Sequence, residues 1–309
     1  MKSLSTIINP SRFSKYFKKE MRENRKQLLS RSLILIAILC AFSLITGLGE
    51  SSTYNRYEEF LINHPNSTVD DAKNSLLELY THNPFTYYDE ASANCLSIFV
   101  FGFPITLIIC ASCMFESMST KQKKIATLMA PATQFEKYLT RFFTYIILPI
   151  FIYIAGCLIA ESLRFIIFSI FYPTGDIIRF MDYSDTIKDM LIKDNMLFHT
   201  IVLYLLNSIA GASIYALGSS IWPRLALLKT FAAQCIISFI GIVTLMIAAI
   251  SGAVEKSAKT IGAIAQNLSL DIEFTTFMWL LHISLLIFIS INFSIAYFRF
   301  KESEIIQRM

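Results

Sequence analysis

Six apolar runs dominate this 309-residue chain, over residues 32–49, 95–115, 142–160, 197–221, 231–250 and 274–298. Each is of the length a helix needs to cross a hydrocarbon layer ~30 Å thick. Such runs leave little freedom. Lipid offers no water to backbone N–H and C=O groups, so each run must close its own hydrogen bonds as a helix. The expected fold is therefore an all-α integral membrane protein: six transmembrane helices over 32–298, a polar region 1–31 before them and a tail 299–309 after them.

Charge placement orients the bundle. An even number of spans puts both termini on one side. With that side inside, 19 of the 27 Lys and Arg residues lie in inner segments and seven in outer loops. Lysine and arginine concentrate on the cytoplasmic side of membrane proteins, so both termini are expected there.

The six cysteines, Cys40, Cys95, Cys110, Cys113, Cys157 and Cys235, lie in or at the edges of the apolar runs. They do not form the spacing of a zinc site or a disulfide framework. Cys110 and Cys113 have CxxC spacing within a run, where two small packing residues are the simplest reading.

The first 31 residues carry nine Lys or Arg residues, a basic region too long for the n-region of a cleavable signal peptide, and no A-x-A pattern follows the first apolar run. Asn9 can cap a helix and Pro10 suits its first turn. Phe13, Tyr16, Phe17 and Met21 then recur at helical spacing opposite Arg12, Lys15, Lys18, Lys19 and Arg22. This reads as an amphipathic elbow helix lying on the anionic membrane face, with no nucleic-acid partner.

The first outer loop, 50–94, contains Thr68, Asp70 and Asp71 ahead of Leu76, Leu77, Leu79 and Tyr80, which predicts a capped helix. The third apolar stretch continues past one crossing and carries Glu161 and Arg164 one turn apart. A rise of ~1.5 Å per residue from Arg141 puts Glu161 about 30 Å away, so the expectation is an ion pair at the outer interface. The following FIIFSIFY would lie in that interface or pack on the bundle, and Pro149 would kink the crossing. In the fourth span Ser208, Gly211, Ala212, Ala216, Gly218 and Ser220 permit close helix approach. Asn207, His199, His282 and Asn292 are polar residues expected to bond neighbouring helices. The outer segment 251–273 is only moderately polar, and Ile261, Ile264 and Leu268 suit a dip into the outer leaflet.

Between the second and third spans, the segment 116–141 reads as a proline-broken elbow. Ser119 or Thr120 can cap a short helix bearing Lys121, Lys123 and Lys124, with Ile125, Leu128 and Met129 on one face. Pro131 ends it. Thr133 and Glu136 then have capping-box spacing ahead of Lys137, Tyr138 and Arg141. An exposed apolar edge rimmed by charge suits a protein partner and a headgroup layer equally well.

The order Glu116, Ile125-Ala-Thr-Leu128, Pro131-Ala-Thr133, Glu136, Lys137 and Arg141 resembles the cytoplasmic loop of type-2 ATP-binding-cassette (ABC) transporter permeases. The elbow helix, six spans and semi-apolar segment before the sixth span agree in order. The resemblance implies a permease subunit, an exporter, in a bacterial cytoplasmic (inner) membrane. Its partners would be a cytoplasmic nucleotide-binding ATPase subunit, a second permease copy or homologue, and the bilayer. Glu116, Lys124, Ile125, Leu128, Met129, Pro131, Thr133, Glu136 and Arg141 would form the ATPase-coupling loop. G-x-x-x-x-G-K-[ST] is absent, so ATP would be bound by the partner subunit and this chain would carry no cofactor.

Two other functional classes remain open: a non-transporting scaffold that recruits partners, and an intramembrane enzyme. The second lacks H-E-x-x-H, and Gly211-Ala-Ser213-Ile-Tyr215 misses G-x-S-x-G at its last position, so no catalytic or metal residues are assigned.

Overall fold

The computed structural model describes residues 9–63, 87–171, 196–250 and 274–305. Among these every regular element is helical: α1 Pro10–Glu23, α2 Arg25–Asn63, α3 Tyr87–Ser112, α4 Lys121–Leu128, α5 Gln134–Phe142, α6 Leu148–Phe171, α7 Met196–Ile221, α8 Ala226–Ile250 and α9 Phe274–Ile305. A 3₁₀ turn, Glu116–Met118, precedes α4, and a π turn, Phe143–Ile147, joins α5 to α6. Six helices are long and apolar enough to cross a membrane, with mean hydropathy between 1.7 and 2.4. The protein is a polytopic, all-helical membrane protein. Its long helices expose Leu, Ile and Phe broadly, as expected where the solvent is hydrocarbon.

Helix bounds exceed the apolar runs. The helix α2 continues to Asn63, well past residue 49, and α3 begins at Tyr87, ahead of residue 95, so both ends of the expected loop 50–94 are helical. The capped helix expected from Thr68 and the segment 251–273 lie outside the described residues.

The third stretch runs from Gln134 to Phe171, 38 residues, and stays helical past Ala160, where Phe168 packs against α2, as one of the two expectations for this continuation had it. The local disturbance is the π turn just before Pro149. Proline has no N–H for the carbonyl four residues earlier, and widening the preceding turn accommodates that lost bond while the helix continues.

The chain forms two compact units. One contains residues 17–106 and 147–197. In it α2 and α6 pack along their lengths. Gly156 admits Leu39 and Ile36, while a Cβ on Gly47 would collide with the Phe168 ring. Ser43 Oγ donates to Ala160 O at 3.2 Å, and Tyr153 Oη donates to Phe99 O of α3 at 2.7 Å. Between Ala160 and Phe168 stand Glu161 and Arg164. Their bidentate pair, 3.1 Å from Nε to Oε2 and 2.6 Å from Nη2 to Oε1, is buried. The ion pair expected from the i,i+3 spacing is thus formed, and its two side chains are enclosed by protein, which rise along the helix alone does not reveal.

The other unit contains residues 1–16, 107–146 and 198–309. The small stripe of α7 is used within the chain, with Ser208, Ala212 and Ala216 buried. Ser213 accepts a hydrogen bond from Asn292 Nδ2 of α9 at 3.0 Å, and His282 Nε2 contacts His199 O at 3.2 Å. A Cβ on Gly218 would collide with Thr230 at the start of α8. The intervening turn contains Leu225 at φ 56, a left-handed conformation unusual for a branched side chain.

Candidate functional site

The segment 116–141 is built from its two ends. After α3, the backbone N–H of Glu116 bonds Cys113 O and that of Ser119 bonds Glu116 O, which closes the 3₁₀ turn. Lys124 N bonds Thr120 O at 2.9 Å, so α4 starts at the threonine suggested by the sequence. The short helix ends with Met129 N on Ile125 O, and the chain then turns through Pro131. Thr133 is extended, at φ −67 and ψ 157, and caps α5 with a complete capping box. Its side chain accepts from Glu136 N, and Glu136 Oε2 accepts from Thr133 N at 2.9 Å.

Glu136 has a second role that the sequence did not reveal. Its carboxylate is fully buried and accepts from Asn9 N at 2.9 Å and from Arg12 Nε at 2.8 Å and Nη2 at 3.0 Å. One side chain therefore caps α5 and fastens the start of α1 to it. The hydrogen bond to Glu136 raises the Arg12 pKa above its ordinary value. Phe13 packs edge-on against Phe143 at 6.3 Å, and Tyr16 is buried. Part of the apolar face of α1, Phe13 and Tyr16, is thus taken up by protein.

Arg141 is buried as well. Its Nη2 donates to Ser117 Oγ at 2.6 Å, and its guanidinium lies 5.5 Å from the Phe115 ring and 5.2 Å from the Phe300 ring. Its Nε and Nη1 have no hydrogen-bond partner among the described residues. Two aromatic faces offset part of the cost of removing this charge from water. An aromatic seam extends the contact: Phe135 and Tyr138 meet Tyr297, Phe142 meets Phe293, and Tyr138 Oη donates to Phe293 O at 2.8 Å. From the α7–α8 turn, Arg224 Nε donates to Ser119 O at 2.8 Å.

The resulting segment has two sides. Glu136 and Arg141 belong to the buried, anchored side, so they cannot be contact residues for an external partner. Glu116 and Lys124 are half-buried, whereas Ile125, Met129 and Pro131 are exposed, the first two at 50% and 79%. The side chain of Leu128 lies outside the described residues. Glu161 and Arg164 belong to the other unit.

The Arg12–Glu136 tie was missed because each residue already had a local explanation, Arg12 in a basic face and Glu136 in a capping box. The seam had a visible signal in its spacing: Phe135, Tyr138 and Phe142 recur at i, i+3 and i+7, and Phe293, Tyr297 and Phe300 at i, i+4 and i+7. No group of three or more His, Cys, Asp or Glu residues able to hold a metal occurs among the described residues. No family model, curated protein or solved structure matches the chain.

Proposed function

We propose that this chain is the membrane-spanning permease subunit of an ABC-type exporter, driven by a separate cytoplasmic ATPase subunit. The observation that supports this reading is the two-sided segment 116–141. A short helix with an exposed apolar edge stands on a base of buried charge and aromatic contacts. Flexible loops transmit little displacement, whereas an anchored helix passes a push to whatever it is fastened to. Here those attachments are α3, α5, α9 and the start of α1.

In this reading α4 is the coupling helix and Ile125, Met129 and Pro131 meet the ATPase. Glu136 and Arg141 hold the base, and α1 is the elbow. The resemblance of the motif and the excess of Lys and Arg on one side support a cytoplasmic position for the segment and both termini. A second permease copy or homologue completes the pathway, as in exporters of the resembled family.

Affinity purification of the tagged chain from its native membrane in mild detergent tests the reading. Recovery of a nucleotide-binding subunit in stoichiometric amount is expected. Repeated recovery of the intact chain without one contradicts it.

A further inference from the structure

The helix α1 passes into α2 with its hydrogen bonding continued. Asn24 N bonds Glu20 O at 3.0 Å and Leu28 N bonds Asn24 O at 2.9 Å, so the helical ladder runs through the junction. At 3.6 residues per turn, Lys18, Arg22, Arg25, Lys26, Leu29 and Leu33 fall within an arc of about 100°. All six side chains are exposed. Glu20, on the opposite face, is buried and bonds Asn24 Nδ2 at 3.2 Å.

The cations of this arc have no acidic partner among the described residues. Nearby Lys19 has Glu23 at 3.7 Å, and Arg12 is committed to Glu136. Leu29 and Leu33, exposed at 51% and 65%, continue the same line into the apolar run. The face that meets hydrocarbon at Leu33 therefore carries Lys26 and Arg25 about two turns earlier, and Arg22 and Lys18 one and two turns before those.

We propose that Lys18, Arg22, Arg25 and Lys26 form a binding surface for the phosphates of anionic phospholipids. Collinearity with the lipid-facing stripe favours lipid over a protein partner: at ~1.5 Å per residue Lys26, Arg25 and Arg22 stand about 5–10 Å before Leu29, at headgroup depth, and Lys18 stands about 16 Å before it. Four cations without an ion-pair partner among the described residues attract negative headgroups additively. The inference concerns lipid recognition alone and does not depend on the ATPase.

The test uses the full chain purified in detergent and titrated with phosphatidylglycerol or phosphatidylcholine, with bound lipids counted by native mass spectrometry. Preferential binding of phosphatidylglycerol is expected. The variant Lys18→Gln/Arg22→Gln/Arg25→Gln/Lys26→Gln should weaken it by roughly tenfold or more, and raised salt should do the same. Single Lys18→Gln and Lys26→Gln variants, each expected to lose a few-fold, cover a quadruple variant that fails to insert. Unchanged phosphatidylglycerol affinity in the variants overturns the proposal, as does binding of inorganic phosphate alone with equal affinity. Loss of a co-purifying protein with lipid affinity intact would instead assign the face to that protein.

Discussion

Arg12 and Glu136 are 124 residues apart in sequence, yet Arg12 Nε stands 2.8 Å from Glu136 Oε2. Glu136 simultaneously receives the backbone N–H groups of Asn9 and Thr133. Two helix starts, α1 and α5, thus share one carboxylate. Glu136→Ala would leave both N–H groups and the Arg12 fork without an acceptor, and should cost about 3 kcal/mol in a two-state unfolding measurement. Arg12→Gln should cost less, because Arg12 is partly exposed and retains water as a partner. Equal losses from the two variants would contradict the assignment of Glu136 as the shared hub.

Arg141 separates charge from shape. With one hydrogen bond and two buried nitrogens, Nε and Nη1, unpartnered among the described residues, its guanidinium is held mainly by the Phe115 and Phe300 rings. Arg141→Met retains packing volume without a buried charge and should change stability by less than about 1.5 kcal/mol. Arg141→Ala should cost about 3 kcal/mol through the cavity it leaves. Thermal unfolding in detergent distinguishes the two, and a severe loss in the methionine variant would show that the charge itself is required.

Close packing of α7 on α8 is testable at Gly218. An alanine there meets the Thr230 side chain and should destabilise by about 1–3 kcal/mol. Gly218→Ala combined with Thr230→Ala should recover part of that loss. Strict additivity would mean that the two positions do not touch.

Much of the fold follows from features that a sequence states directly. Runs of apolar residues dictate helices because lipid leaves backbone groups no other partner. Thr133 and Glu136 announce a capping box because their spacing matches the geometry of one helical turn. What remained hidden depended on facing. Glu161 and Arg164 had a calculable depth, but spacing along one helix does not say whether their face meets lipid or protein. Glu136 likewise looked complete within its own turn, and its bonds to Asn9 and Arg12 arise only once the chain has folded. Leu225 gave no warning either, since a leucine does not advertise a left-handed turn. In the site, Ile125 and Met129 were legible as an apolar edge, whereas the burial of Arg141 was not.

The exposed edge is expected to matter for association and little for folding. Ile125→Asp and Met129→Asp alter exposed side chains and should each change stability by less than about 0.5 kcal/mol.

The central claim, that α4 meets an ATPase through this edge, is tested most directly by placing a photo-crosslinking amino acid at Met129 in the full chain in its native membrane. Irradiation should yield a covalent adduct with a nucleotide-binding subunit, and Ile125→Asp in the same chain should abolish it while membrane insertion is retained. An adduct with lipid alone, or an ATPase adduct unaffected by Ile125→Asp, would contradict the account.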